Sequence, residues 1–332
     1  MKLKKAILHS IGNGNGTCIL SDTELDIESE TCEAFITKHV KKLLNNPASK
    51  EATFNADSEV NSYICGLKDG SLYFKSACQR IGKRLSNIMA HNPSIPGGDL
   101  LIVMFEDKKQ DYIAILKLNY REVFTHEIKR GPGGADNQIV KYPIVLPFDS
   151  GKVEEAVLIP YDPMVLKVLE KPFEIDGEQK NYFSEMFLEC QPELSKKETA
   201  DMLKEISEEI SSRYFDNSVE ASAKIKTALI EQAAEAEGDI SVEGVAAKAF
   251  GDNLEIRDSY VGLARDAGLR HDMPLGEKFV RQQFGIQRIK ASNGIEVKFP
   301  AELWGDGCIE MLRQPDGTAS ILLKNVGEVE AC

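Results

Sequence analysis

Phe279-Val-Arg-Gln-Gln-Phe-Gly-Ile-Gln-Arg-Ile-Lys-Ala-Ser-Asn-Gly-Ile-Glu-Val-Lys-Phe-Pro300 changes its hydrophobic period partway along. A short helical run, Lys278 to Phe284, stops at Gly285. Ile286 to Lys290 and Ile295 to Phe299 then alternate apolar and polar residues, the period-two pattern of half-buried strands. Ser292-Asn293-Gly294 lies between them, and Asn-Gly supplies two residues tolerant of positive φ, which a tight hairpin turn requires. Pro300 ends the second strand because it has no N–H to give the ladder. Ile309 to Arg313, a turn at Pro315-Asp316-Gly317, and Ser320 to Lys324 repeat the pattern. A helix followed by turn-linked antiparallel strands places the chain in the α+β class with a C-terminal β-meander. This stretch is scaffold: it holds no nucleophile, base or metal set.

Upstream the pattern is helical. Ser195-Lys-Lys-Glu198 is a capping box, and Met202, Leu203, Ile206, Ile210 and Tyr214 give the first helix its apolar face. Further helices are expected over about Val219 to Ala236, Val242 to Phe250 with Ser241 as cap, and Leu254 to Ala267. Pro160 to Gly177 carries three prolines and no clear period, so residues 161–177 read as a linker. The expected domains are 1–160, an N-terminal α+β domain, and 178–332, a helical region closed by the meander.

The N-terminal part reads as a mainly antiparallel sheet with two or three helices. Strands are expected at Lys4 to Ile11, Thr17 to Leu20, Asp99 to Phe105, Tyr112 to Tyr120, Val123 to Ile128, Ile139 to Leu146 and Val153 to Ile159. The apolar run Leu100 to Phe105 suits a buried strand. Pro143 and Pro147 demote their strand to an edge. Ser29 to Leu44 and Ser71 to Ala90 are strong amphipathic helices, and a short one is expected within Asn45 to Asp69. Lys129-Arg-Gly-Pro-Gly-Gly134 reads as a flexible basic loop.

The chain of 332 residues has a net charge of −13, unevenly spread. Residues 1–150 carry 19 Lys+Arg against 18 Asp+Glu, residues 151–276 carry 14 against 27, and residues 277–332 carry 7 against 8. Phosphate contacts need Lys and Arg, so a nucleic-acid surface is expected at the ends and not in the acidic helical middle. That middle suits a solvated face or a basic protein. Seven dispersed cysteines with no Cys-x-x-Cys point to free thiols in a reducing compartment. No apolar run approaches the ~20 residues of a membrane helix, and the N-terminus lacks the unbroken apolar core of a signal peptide.

Several constellations tempt a sharper reading. Gly12-Asn-Gly-Asn-Gly16 lacks both phosphate-loop spacings and reads as a hairpin turn. The helices around Gly251-Asp252-Asn253 have helix-turn-helix spacing, but Glu255 and Asp258 would repel the DNA backbone, which favours a plain helical hairpin. Asp99 and Asp107 suggest a cryptic metal-dependent nuclease; Asp107 sits in a turn, however, and Ile115 stands two residues before Lys117, where an acid is needed. The five histidines show no zinc-hydrolase pairing, and there is no Gly-x-Ser-x-Gly elbow. The residues therefore support no enzyme, cofactor or metal. The clearest basic cluster is Arg80, Lys83 and Arg84, on one outer helix stripe.

Ordered segments along the chain carry a resemblance. They begin with Ile7-Leu-His9 and Gly98-Asp-Leu-Leu-Ile-Val103, then Glu155-Ala-Val-Leu-Ile-Pro160 and Tyr182-Phe-Ser-Glu-Met-Phe-Leu-Glu-Cys190. They close with Ile289-Lys-Ala-Ser-Asn-Gly-Ile-Glu-Val-Lys-Phe-Pro300 and Asp316-Gly-Thr-Ala-Ser-Ile-Leu-Leu-Lys-Asn325. In these the chain resembles the bacterial nucleoid-associated protein family typified by NdpA, also called YejK. The resemblance implies a non-enzymatic, cytoplasmic protein of the nucleoid that associates with double-stranded DNA, and with single-stranded RNA as a further ligand. It also implies type II topoisomerase subunits as protein partners; a second copy of the chain is a further candidate partner, and no membrane is expected. The candidate phosphate contacts are then Arg80, Lys83 and Arg84, Lys129 and Arg130, and Arg281, Arg288 and Lys290. The alternative expectation is a protein-interaction module that reaches the nucleoid only through such a partner.

Overall fold

The computed structural model describes residues 1–12, 18–131, 134–146, 153–216, 218–305, 307–314 and 318–327. It divides into two compact units, Met1–Ser195 and Lys196–Cys332. The first unit opens with β1 (Lys2–Ile11) and β2 (Cys18–Ile19), then α1 (Glu30–Leu44), β3 (Lys50–Phe54), α2 (Glu59–Lys68) and α3 (Phe74–His91). There follow β4 (Gly98–Asp107), β5 (Gln110–Asn119), β6 (Arg121–Gly131), β7 (Gly134–Val145), β8 (Glu155–Pro160) and β9 (Leu166–Leu169). A small hairpin of β10 (Phe173–Ile175) and β11 (Glu178–Lys180), a π-helical turn Phe183–Leu188 and β12 (Cys190–Pro192) complete it. Eight strands make one antiparallel sheet in the order β12-β3-β9-β8-β5-β4-β1-β2.

Both faces of that sheet are covered, which explains its unbroken apolar runs. Leu101, Val103 and Phe105 of β4 pack with Ile36, Val40 and Leu43 of α1 on one side. Leu100 and Ile102 pack with Val60 and Ile64 of α2 and Cys78, Ile81 and Leu85 of α3 on the other. Side chains alternate between faces along a strand, so a strand buried on both sides reads as a nearly continuous apolar run. Each fully buried Leu, Ile or Phe contributes about 1.5–3 kcal/mol. The central strands therefore carry much of the core that holds the unit together.

Where α3 crosses β1, Gly82 lies against His9: a Cβ at Gly82 would come within 2.9 Å of the imidazole ring. His9 is fully buried, and its Nδ1 accepts a hydrogen bond of 3.0 Å from the Ser21 N–H. Burial pushes its pKa down, offset in part by the Cys78 backbone. The unfolded chain thus takes up this proton more readily than the folded one. The stability contributed by neutral His9 is present above the unfolded value near 6.5 and is lost as pH falls below it. Urea unfolding at pH ~7.5 and ~5.5 should show a larger loss for the natural chain than for His9→Gln; equal losses would assign the acid sensitivity elsewhere.

Three expectations change here. Residues 161–177, read as a linker, contain β9, which pairs with both β3 and β8 inside the sheet, and the first unit runs on along the chain to Ser195. Ile139 to Leu146, read as an edge strand of the N-terminal sheet, belongs instead to β7, which is an edge strand of a separate two-stranded ribbon with β6. Lys129 and Arg130, read as loop, are the last two residues of β6 before Gly131. The turn expected at Gly12 to Gly16 falls mostly outside the described residues, although β1 and β2 pair on either side of it.

The second unit begins with α4 (Lys196–Phe215), α5 (Val219–Glu235), β13 (Asp239–Ser241), α6 (Val242–Phe250), α7 (Leu254–Asp266) and β14 (Asp272–Pro274). It continues with α8 (Glu277–Phe284), β15 (Ile286–Lys290), β16 (Glu296–Pro300), α9 (Glu302–Gly305), β17 (Ile309–Arg313) and β18 (Ala319–Leu323). Side-chain caps start three helices: Ser218 for α5, Ser241 for α6 and Asn253 for α7. Leu203, Ile206 and Ile210 of α4 pack with Ile225 and Leu229 of α5, Val245 of α6 and Tyr260 of α7. The C-terminal strands pair as two hairpins, β15–β16 and β17–β18, which share a small core around Ile289, Phe299, Ile309 and Trp304. In the first hairpin only Gly294 takes a positive φ, at 90°. Asn293 works through its side chain, whose Oδ1 accepts from the Ile295 N–H at 3.2 Å. The Pro315-Asp316-Gly317 turn lies outside the described residues. Among those residues no helix is long and apolar enough to cross a membrane.

Candidate nucleic-acid interface

The eight candidate bases fall in three places, and the structure treats them differently. On α3, Arg80 and Lys83 are exposed and have no ion pair among the described residues. The Arg80 guanidinium sits over the Tyr63 ring, 5.8 Å from its centroid. With Tyr63, Gln79 and Asn87 they line an open groove of 590 Å³ between α2 and α3. The Tyr63 hydroxyl donates to Glu59 at 3.0 Å, and burial, reinforced by that bond, pushes its pKa up.

Arg84, one turn further along, is held by its own fold in a way that Arg80 and Lys83 are not. Its Nε donates to the Phe187 carbonyl at 2.9 Å and its Nη2 to the Met186 carbonyl at 2.8 Å, at the end of the π-helical turn. The same guanidinium pairs with Glu59 at 2.8 Å and Glu189 at 2.7 Å. A guanidinium that faces two carboxylates and gives two donors to backbone carbonyls has little charge or donor capacity left for a phosphate.

Lys129 and Arg130 stand at the outer end of the ribbon. β6 alone is 11 residues long, about 36 Å at ~3.3 Å per residue. Register decides what each face carries, because residues directly opposite in an antiparallel pair share a face. One face holds Phe124, His126, Ile128 and Arg130 on β6, opposite Lys141, Ile139, Asn137 and Ala135 on β7. Phe124 is 76% exposed and Ile139 81%. Arg130 has no ion pair among the described residues, and Lys141 pairs with Glu122. The other face mixes charges: Lys129 stands opposite Asp136, 3.7 Å from Glu127, and bonded to Gln138.

In the second unit, Arg281 is neutralised by Glu277 at 3.0 Å and Glu302 at 2.6 Å, whose hydrogen bonds raise its pKa further. Arg288 and Lys290 lie on the exposed face of β15–β16, Lys290 with Glu296 at 3.5 Å. Lys298 stands directly opposite Arg288, a neighbour that the expected contacts left out. The period-two alternation of both strands is the signal that would have found it. The second unit's pair, Arg288 and Lys298, is thus the best exposed cationic pair of that hairpin.

Hydrolytic chemistry is not assembled at the acids singled out in the sequence. Asp99 and Asp107 occupy opposite parts of β4, eight residues or about 26 Å apart, too far to share a metal ion. Asp99 accepts from the Tyr120 hydroxyl at 2.7 Å, and burial raises its pKa. Lys117 is buried against Glu155 at 2.8 Å. Among the described residues no three His, Cys, Asp or Glu side chains converge to hold a metal.

The sequence profile of the family described as nucleoid-associated protein YejK matches residues 7–329, nearly the whole chain. No curated protein matches it.

Proposed function

Because the chain belongs to the family of the nucleoid-associated protein YejK, we propose that it contacts DNA directly through the outer end of the β6–β7 ribbon. The ribbon face bearing Arg130, Phe124, Ile128 and Ile139 carries the reading. A two-stranded ribbon is one of the two elements that a DNA groove admits. An isolated ribbon is marginally stable in water, and side chains this exposed and apolar suit a wedge between base steps or a stacking platform. Single-stranded RNA could use the same platform. Arg80 and Lys83 form a second contact, and Arg288 with Lys298 a third. The chemistry proposed is binding, with no catalytic step.

Reversing two charges, in Lys129→Glu with Arg130→Glu, should weaken duplex DNA binding by more than about tenfold at low salt. The slope of log affinity against log salt should fall by about 0.9, the share of the one contact from Arg130, since Lys129 lies beside Glu127 and opposite Asp136. An unchanged slope would remove the ribbon from the interface. If the natural chain itself fails to bind duplex DNA, association runs through a protein partner. The acidic excess of the second unit, 25 Asp+Glu against 17 Lys+Arg, suits a basic surface such as a type II topoisomerase subunit.

A further inference from the structure

The second unit is acidic, yet one of its clefts is lined by cations and hydroxyls. It lies among α4, α5 and α8, has a volume of 300 Å³, and is lined by Lys204, Ser207, Ser211, Ser222, Lys226 and Gln283 with Phe284 beside them. Lys226 is half-buried, and its Nζ bonds only to neutral oxygens: Gln287 Oε1 at 2.8 Å and the Ile286 carbonyl at 3.2 Å. Lys204 bonds to Gln283 at 2.8 Å and pairs with Asp201 at 3.1 Å, its ammonium 5.8 Å from the Phe284 ring centroid. The hydroxyls of Ser211 and Ser222 have no partner among the described residues. Glu208 is the one carboxylate among the lining residues, and it makes no ion pair with Lys226.

A partly buried ammonium is costly without an opposite charge. Here the charges near Lys226 are mostly of its own sign. Burial lowers its pKa first; Glu208 opposes this, while Arg288 and Lys204 push it further down. An anion in the cleft would relieve that repulsion and use the two idle hydroxyls. A duplex running past would not enter so small a cleft, whereas a terminal phosphate with a short attached group would.

We propose that this cleft binds a phosphate monoester, held by Lys204 and Lys226 and by the hydroxyls of Ser211 and Ser222. The monoester comes either as a small phosphorylated molecule or as the terminal phosphate of a nucleic-acid strand. The site lies wholly in the second unit and is independent of the ribbon.

The test uses the full chain. Its melting temperature is followed against inorganic phosphate at constant ionic strength, with chloride as reference. Anisotropy then compares a 5′-phosphorylated with a 5′-hydroxyl oligonucleotide, and inorganic phosphate as competitor. The natural chain should show a saturable upward shift. Lys226→Met should abolish it, and Ser211→Ala with Ser222→Ala should weaken apparent affinity by at least about tenfold, the effect of losing a hydrogen bond to a charged group. The readout is the phosphate-dependent shift, so a lower starting temperature in Lys226→Met does not obscure it; the serine variant covers a failure of that variant to fold. Displacement of the 5′-phosphorylated strand by phosphate identifies a strand end as ligand. A shift with phosphate and no preference for that strand identifies a free monoester. No shift in the natural chain, or one retained in both variants, overturns the proposal.

Discussion

Replacing Lys117 with methionine is expected to cost the first unit about 3 kcal/mol, the low end of what breaking a buried ion pair does. Lys117 is 1% exposed and Glu155 is fully buried; they face each other across β5 and β8 at 2.8 Å. Asn119 donates to the same carboxylate at 3.1 Å, and the Tyr182 hydroxyl donates to its other oxygen. Burial pushes the Lys117 pKa down, and the charge of Glu155 holds it up. Without the ammonium, Glu155 keeps two neutral donors, which is why the cost stays at the low end. Removing the whole network, in Lys117→Met with Glu155→Leu and Tyr182→Phe, should recover most of the loss, because both charges then leave the interior. Urea unfolding of the single and triple variants decides it. A single-variant loss below ~1 kcal/mol would mean that the buried pair contributes little to the stability of the unit.

Arg84→Ala is expected to cost about 2–4 kcal/mol, from two carbonyl bonds and two ion pairs lost at a side chain only 15% exposed. It should leave the salt slope of DNA binding unchanged. Arg80→Ala and Lys83→Ala should do the opposite, with stability changes within about 0.5 kcal/mol and a slope lowered by about 0.9 each. Unfolding midpoints and salt titrations on the three variants separate the roles. A reduced slope with unaltered stability in Arg84→Ala would return that residue to the interface.

The fold class was legible because its signals are local. Leu100 to Phe105 reads as a buried strand, and α6 and β15 occur at the residues that the pattern indicates. The misplaced pieces depend on distant partners. β9 is four residues in a proline-rich stretch, and it becomes a strand because β3, over a hundred residues earlier, pairs with its free side. The ribbon's end looked like a loop because Gly131, Pro132, Gly133 and Gly134 carry no strand signal of their own. Arg84 shares its helix stripe with Arg80 and Lys83, and spacing cannot tell them apart. What separates them is a pair of carbonyls, Met186 and Phe187, about a hundred residues on. Lys298 was within reach of alternation alone.

The ribbon is spliced into the middle of the sheet, and this gives it a mechanical character. Its legs lead into the C-terminal end of β5 and the N-terminal end of β8, which are neighbours there and are tied by Lys117 and Glu155. A pull directed along these strands reaches β5 and β8 together. It must slide both past β4 and β9 at once, loading many ladder hydrogen bonds in shear where an edge hairpin would peel open one bond at a time. The ribbon is in this sense joined to the first unit through two neighbouring strands that share a load.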